Sequence, residues 1–264
     1  MTSEKNREET ETQQDRHFVT ALARGLTVLE AFRPGEATLS NQQLATRTGL
    51  PKSTVSRLTY TLTRLNYLSQ AGTSGGYQPG LAALSLSSSI LACFDLRRVA
   101  APLMRAFALE QNVSVSLGML DGTDIVYLET CRSQARVSVQ LTLGSRVPVA
   151  TTAIGRACYN GLSGAEQDLL RQQLSARYQT AWPRIEERLE AACAEGRHVG
   201  YCASFGEYEP EVMAIGVALP ALGPGQPAMG LNASAPAFTM DEDSMRQRIA
   251  PALLALRNRI LPTR

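Results

Sequence analysis

The sequence predicts an α+β chain in two parts. A small N-terminal domain has three helices and a two-stranded wing, and a larger C-terminal domain has an antiparallel sheet with helices outside it. Three observations predict this. Two capped helices flank a tight turn between Leu39 and Leu68; helical spacing gives way to period-two alternation at Val113; and the net positive charge is confined to the first part. At 264 residues the chain exceeds the usual size of one domain, and with 44% hydrophobic residues each part has material for a core.

Residues 1–16 carry five acidic and three basic side chains and lack an apolar stretch. They read as a disordered tail, and neither as a signal peptide nor as a membrane span. Residues 17–80 form the first domain. In HFVTALARGLTVLEAF, Phe18, Ala21, Leu22, Leu26, Leu29 and Phe32 recur at helical intervals before Pro34-Gly35. Ser40 and Gln43 have capping-box spacing, which starts a helix at Asn41, and Gly49 ends it. Pro51 prepares a second helix near Ser53, whose Val55, Leu58, Leu62 and Leu65 form one apolar stripe. Tyr67 to Gln70, a Gly/Ser-rich turn at Ala71 to Gly76, and Tyr77 to Pro79 read as a hairpin. Together these elements make a winged helix-turn-helix, a module that sets its second motif helix in the major groove of DNA.

The opposite face of that second helix carries Lys52, Ser53, Ser56, Arg57, Tyr60, Thr61 and Arg64, without a carboxylate. No acidic residue occurs between Glu36 and Asp95, so Arg47, Lys52, Arg57 and Arg64 read as uncompensated and an anionic partner is expected. Cations and short hydroxyls suit phosphate oxygens and base edges. The residues expected at double-stranded DNA are Gln42, Arg47, Lys52, Ser53, Thr54, Ser56, Arg57, Tyr60 and Arg64.

Residues 81–94 are expected to be a linker helix. The stretch LAALSLSSSIL would cover its apolar face on the first helix or on a second copy of the chain, and a homodimer is the economical solution. The second domain, residues 95–264, opens with a helix from Leu96 to Gln111. Val113, Val115, Leu117 and Met119 then alternate with small polar residues, Asp121-Gly122-Thr123-Asp124 turns the chain, and Ile125 to Leu128 return. Val137, Val139 and Leu141 mark a third strand, and Gly144 and Pro148 shape a loop. Thr151 or Thr152 caps a helix to about Asn160, a Ser163/Glu166 capping box starts another, and Pro183 opens a third ending near Gly196. Met213 to Leu219 and Ala228 to Ser234 are strands. Thr239 and Glu242 cap a last helix, which Pro251 should kink. The order is that of a GAF-like sensor domain.

The stretches ARGLTVLEAF (23–32), GLPKSTVSRLTYTL (49–62), YLSQ and GYQPG (67–80), GSRVPVATTAIGRA (144–157), GYCASFGEYEPEVMAIGVALP (200–220) and GLNASAP (230–236) resemble the IclR family of bacterial transcriptional regulators from about Phe18 to Ile260. The resemblance implies a C-terminal effector-binding and oligomerisation domain, a small-molecule effector, and homodimers or dimers of dimers acting on operator DNA. It places effector contacts at Thr151, Thr152, Ala153, Ile154, Ser204, Glu207, Ala214, Asn232 and Ser234. The family's Leu-His-Ala-(Ser/Thr) is Val149, Ala150, Thr151, Thr152 here, Arg156 replaces the usual Lys, and Ala214 stands where some members have Cys. These losses of polar groups favour an aromatic or partly apolar acid over a very small polar one such as glyoxylate.

Five dispersed cysteines without C-x-x-C spacing fit a reduced cytoplasm, as small buried apolar groups. His17 and His198 lack clustered partners, so no metal, cofactor or catalytic residue is expected. An enzyme with a DNA-docking module would need a nucleophile elbow, a phosphate-binding Gly loop or a metal cluster, and none is visible. The other reading is a constitutive DNA-binding dimer whose C-terminal domain only oligomerises.

Overall fold

The computed structural model describes residues 17–33, 35–72, 75–132, 141–220 and 226–261. The chain divides into two compact units, Met1–Ala92 and Cys93–Arg264. In the first, α1 (Thr20–Glu30), α2 (Asn41–Thr48) and α3 (Lys52–Arg64) precede the hairpin β1 (Leu68–Ala71) and β2 (Gly76–Pro79). The capping box forms as its spacing predicts: the Ser40 N–H donates to Gln43 Oε1 at 2.8 Å, and Ser40 Oγ accepts from the Gln43 N–H at 3.3 Å. Gly49 ends α2 in the left-handed region at φ 68°. Val28, Leu39, Leu44, Ala45, Val55 and Leu68 are the core. Burying a Val or Leu contributes about 1.5–3 kcal/mol relative to leaving it exposed. Tyr77 and Leu39 exchange backbone hydrogen bonds of 2.8 and 2.9 Å, which fastens the wing to the start of α2.

Two apolar faces differ from the sequence reading. Phe18, Leu22 and Leu26 of the expected first-helix stripe are exposed, and Val28 is the residue that is buried. Helical spacing identifies a face but not which of two apolar faces meets the core. On α3, Leu65 is exposed, while Thr59 is buried with its hydroxyl donating to Val55 O at 3.0 Å; that back-bond lets a polar residue take a core position. Next comes α4 (Leu81–Ala92), on which no residue is buried, so α1 does not cover it within the chain. Its start is fixed to the end of α3, because Gly80 and Ala82 N–H groups donate to Tyr67 O and Asn66 O at 2.8 and 3.1 Å. A Cβ at Gly80 would lie 2.1 Å from Asn66 O, so only glycine fits.

The second unit runs α5 (Asp95–Gln111), β3 (Ser114–Asp121), β4 (Asp124–Cys131), β5 (Arg146–Pro148), α6 (Ala153–Asn160), α7 (Gly164–Tyr178), α8 (Trp182–Val199), β6 (Cys202–Phe205), β7 (Val212–Leu219) and β8 (Met229–Pro236). A helical turn Glu242–Ser244, a π-helical stretch Met245–Ile249 and α9 (Ala250–Ile260) close it. The six strands are antiparallel in the order β5-β4-β3-β8-β7-β6. Val115, Leu117, Ile215, Val217, Leu231 and Ala233 form one face, in a core with Ala100 and Met104 of α5 and Leu253 and Leu256 of α9. Glycines dominate the other face, which α6 covers, so Ser114 and Ser116 of the alternating strand are buried too.

Several local expectations are corrected or fall outside the described residues. The expected third strand lies mostly in residues 133–140, outside them. Arg146–Pro148, read as loop, pairs with β4 as an edge strand, and β6 was not expected at all. Asp241, not Thr239, caps the last helical run: Asp241 Oδ1 accepts the Ser244 N–H at 2.8 Å, whereas the Thr239 hydroxyl donates to Pro236 O. Pro251 is the second residue of α9 and follows directly on the π-helical stretch, within one continuous helical run from Glu242 to Ile260. Cys131, Cys158, Cys193 and Cys202 are buried thiols as expected, but Cys93 is exposed.

Candidate functional sites

In the first unit, α3 presents Lys52, Ser53, Ser56, Arg57, Tyr60 and Arg64 to solvent, with Thr54 half-buried and Gln42 exposed on α2. Asn41 Nδ2 donates to Ser56 Oγ, joining the first turn of α2 to the exposed face of α3. A groove runs beside this face between Ala21 and Arg24 of α1 and Arg57, Tyr60 and Thr61 of α3. Arg24 therefore joins the cationic surface. Sequence reading missed it because α1 was treated as a packing helix.

Arg47 is corrected: it is not uncompensated. Its guanidinium forks onto both carboxylate oxygens of Glu36, with Nη2 2.6 Å from Oε1, and Nη1 donates to Ala31 O at 2.9 Å. The Arg47 hydrogen bond holds the Glu36 carboxyl well below the usual range, at about 2, against the opposing effect of desolvation. Because the folded-state value is depressed, the contact is complete above about pH 4.5 and is lost as pH falls towards 2. Titration by NMR should place the Glu36 midpoint at about 2; a midpoint near 4.5 would mean that the fork does not form.

In the second unit α6 rests directly on the sheet. A Cβ at Gly216 would lie 2.3 Å from Ala153 O, and one at Gly230 2.9 Å from Cys158 Sγ. At the N-terminus of α6, Thr152 Oγ1 accepts the Gly155 N–H at 3.2 Å and donates to Pro148 O at 2.6 Å. The Arg156 N–H goes to Thr152 O at 2.9 Å. Ala153 and Ile154 are the first two residues of the helix, so their N–H groups have no intrahelical acceptor.

Beyond this helix end the sheet face changes from glycine to Ala214, Asn232 and Ser234. The result is a narrow pocket of ≈ 30 Å³, completed by Tyr127, Leu141, Val147, Thr152, Ala153, Ser204, Tyr208 and Val212. Among the described residues the lining has no charged side chain, and the helix terminus adds positive potential. Burial pushes the Tyr127 phenol up, while the Asn232 amide and Ser116 against it act the other way, so the hydroxyl is neutral at physiological pH. Asn232 is 5% exposed, and its Oδ1 has no hydrogen-bond partner.

Six of the nine expected effector residues line the pocket: Thr152, Ala153, Ser204, Ala214, Asn232 and Ser234. Three do not. Thr151 uses its carbonyl to accept from Ser204 Oγ at 2.7 Å, and Ile154 packs its side chain in the core. Glu207 is occupied by Arg156, a side chain buried in α6, whose Nη1 and Nη2 approach its two oxygens at 2.6 and 2.7 Å. Arg156 also donates to Ala150 O and Ala203 O at 3.0 and 2.9 Å. Burial opposes the charge on Glu207, yet the hydrogen bonds and field of Arg156, with Arg188 behind it, keep its carboxyl below the ordinary range. This pair pins the segment that carries Tyr208 to the pocket. Tyr127, Leu141, Val147, Tyr208 and Val212 were missed, although Val147 lies in the quoted stretch 144–157 and Tyr208 and Val212 in 200–220.

The family described as "IclR helix-turn-helix domain" matches residues 21–72, and "Bacterial transcriptional regulator IclR C-terminal" matches residues 88–260. The chain is 33% identical over 238 residues to the HTH-type transcriptional regulator TsaQ1/TsaQ2 of Comamonas testosteroni, covering 89% of this chain and 85% of that one. It is 29% identical over 244 residues to the Pca regulon regulatory protein of Pseudomonas putida, covering 91% and 82%. The crystal structure of an IclR family transcriptional regulator from Brucella abortus superposes with a TM-score of 0.78 at 36% identity, covering 95% of each chain. With both halves matched in order, the chain belongs to the IclR family of bacterial transcriptional regulators.

Proposed function

We propose that this regulator binds operator DNA through α3 and the wing as a cytoplasmic homodimer, and that a small aromatic or partly apolar acid in the second unit changes its DNA occupancy. The observation that carries the effector reading is the pocket at the N-terminus of α6, whose described lining is uncharged. Main-chain N–H groups there can receive one carboxylate while Leu141, Val147 and Val212 cover an apolar body. Binding shifts occupancy only by its differential affinity for the DNA-competent and DNA-incompetent arrangements. Arg57→Ala is expected to weaken binding to duplex DNA from its own upstream region by about tenfold or more, read by fluorescence anisotropy at fixed salt. An unchanged dissociation constant would remove Arg57 from the interface. Thr152→Val takes away the cap that orders the pocket's helix end, so it should blunt the thermal shift produced by a bound acid and leave DNA affinity alone.

The dimer reading rests on Phe18, Leu22 and Leu26 of the α1 region and Leu81, Leu84 and Ile90 of α4, all at least half exposed. The double variant Leu84→Glu/Ile90→Glu should sediment as a smaller species than wild type and lose operator affinity; unchanged sedimentation would place the interface elsewhere. A constitutive dimer would bind DNA normally yet show no thermal shift with any acid.

A further inference from the structure

We propose that the acidic stretch at residues 8–15 of this chain docks in the groove between α1 and α3 and competes there with DNA for Arg24 and Arg57. This rests on the DNA-binding reading above and adds to it a competitor carried by the same chain.

The groove has a volume of ≈ 520 Å³, and each side contributes a guanidinium: Arg24 from α1, beside Ala21, and Arg57 from α3, beside Leu58, Tyr60 and Thr61. The two helices approach each other next to it, where a Cβ at Gly25 would lie 3.9 Å from Leu58 Cδ2. Between residues 17 and 92 the only carboxylates are Glu30 and Glu36. Glu36 is held by Arg47, and Glu30 projects from α1 six residues past Arg24, about 240° round the helix. Among the described residues no ion pair reaches Arg24 or Arg57. Two cations set among apolar groups attract an anionic chain by the same chemistry that attracts phosphate.

Residues 8–15, EETETQQD, carry Glu8, Glu9, Glu11 and Asp15 and no cation. They lie outside the described residues and end two positions before His17, while Ala21, four positions further on, already lines the groove. Eight extended residues span up to about 27 Å, whereas Ala21 and Arg24 are about 4.5 Å apart along α1, so the stretch is long enough to follow the groove. Exposed ion pairs are individually weak and screened by salt, so the tether decides the outcome. Docking is intramolecular, with an effective concentration on the order of 1 mM; a contact with a dissociation constant of about 0.5 mM then raises the apparent dissociation constant for DNA about threefold.

The test uses the full chain. Glu8→Gln/Glu9→Gln/Glu11→Gln/Asp15→Asn removes the charge and keeps the length. It should bind duplex DNA from the upstream region about threefold or more tighter than wild type at low salt, read by fluorescence anisotropy, with the gap closing as salt rises. Equal or weaker binding would overturn the competition. Repulsion of DNA without docking would give the same gain, so position is read separately. Carbodiimide joins a carboxylate to an amine with loss of water, and Lys5 and Lys52 are the chain's only lysines. In DNA-free Arg24→Lys and Arg57→Lys, mass spectrometry of the monomer band should find the introduced amine joined to residues 8–15, and saturating duplex should suppress the product. Arg64→Lys, on α3 outside the groove, should give little. No product at positions 24 and 57, or as much at 64, would overturn docking. If wild type binds no duplex, the DNA-binding reading fails and the competition with it, while the cross-link still decides docking.

Discussion

Replacing Gly216 with alanine is expected to destabilise the second unit by about 3 kcal/mol or more, the upper range of overpacking. The added methyl would lie 2.3 Å from the Ala153 carbonyl oxygen, 2.4 Å from its carbon and 2.7 Å from Ile154 N. All three atoms are backbone, so no rotamer change relieves the contact, and α6 must lift from the sheet. The same movement displaces the helix end that frames the pocket, so ligand-induced stabilisation should vanish with it. Gly164→Ala is the control: it sits at the start of α7 with nothing within 4 Å, and there alanine should be neutral or slightly stabilising. Urea unfolding of both variants checks this. A wild-type midpoint for Gly216→Ala would show that α6 does not rest on that strand.

Glu207→Ala is expected to cost about 3 kcal/mol of unfolding free energy, because it leaves the buried Arg156 guanidinium without its counter-charge. Since the pair also fixes the segment bearing Tyr208, ligand dissociation should be faster even where the variant is folded. Glu207→Gln retains hydrogen-bonding oxygen but no charge, and should fall between wild type and alanine. If both variants unfold like wild type, water rather than Glu207 solvates Arg156. The pH dependence has a definite sign: the carboxyl is depressed in the folded state, so its contribution is present at neutral pH and declines as the solution is acidified below the ordinary carboxylate range.

The sequence made the first unit legible because its signals are local. Ser40 and Gln43 are three residues apart, Gly49 and Pro51 sit within one turn, and the exposed face of α3 follows from helical period alone. Arg47 was misread because its partner Glu36 is eleven residues away across a turn, beyond the reach of spacing rules. The pocket was only half legible for the same reason. Thr152 and Ala153 are set by a helix cap, and Asn232 and Ser234 came from family resemblance. Tyr127 and Val147 enter only once β4 and β5 pair, and Arg156 meets Glu207 across 51 residues of sequence. Period-two alternation identified β3, but it could not show that α6 would cover the Ser114 and Ser116 face.

Three of the four serines of α4 turn inward on their own helix: Ser85 donates to Leu81 O, Ser87 to Ala83 O and Ser89 to Ser85 O. Side chains that look polar in the sequence are thereby satisfied by the backbone, and the helix carries no charge from Leu81 to Ala92. A surface of this kind adheres through area and has no fork, ion pair or fixed donor to define one angle of contact. Rotation or a shift of register against a like surface would exchange one set of methyl contacts for another at small cost. Because its start is fixed to the end of α3 at Gly80 and Ala82, any such rotation of α4 in the proposed dimer would be passed to α3.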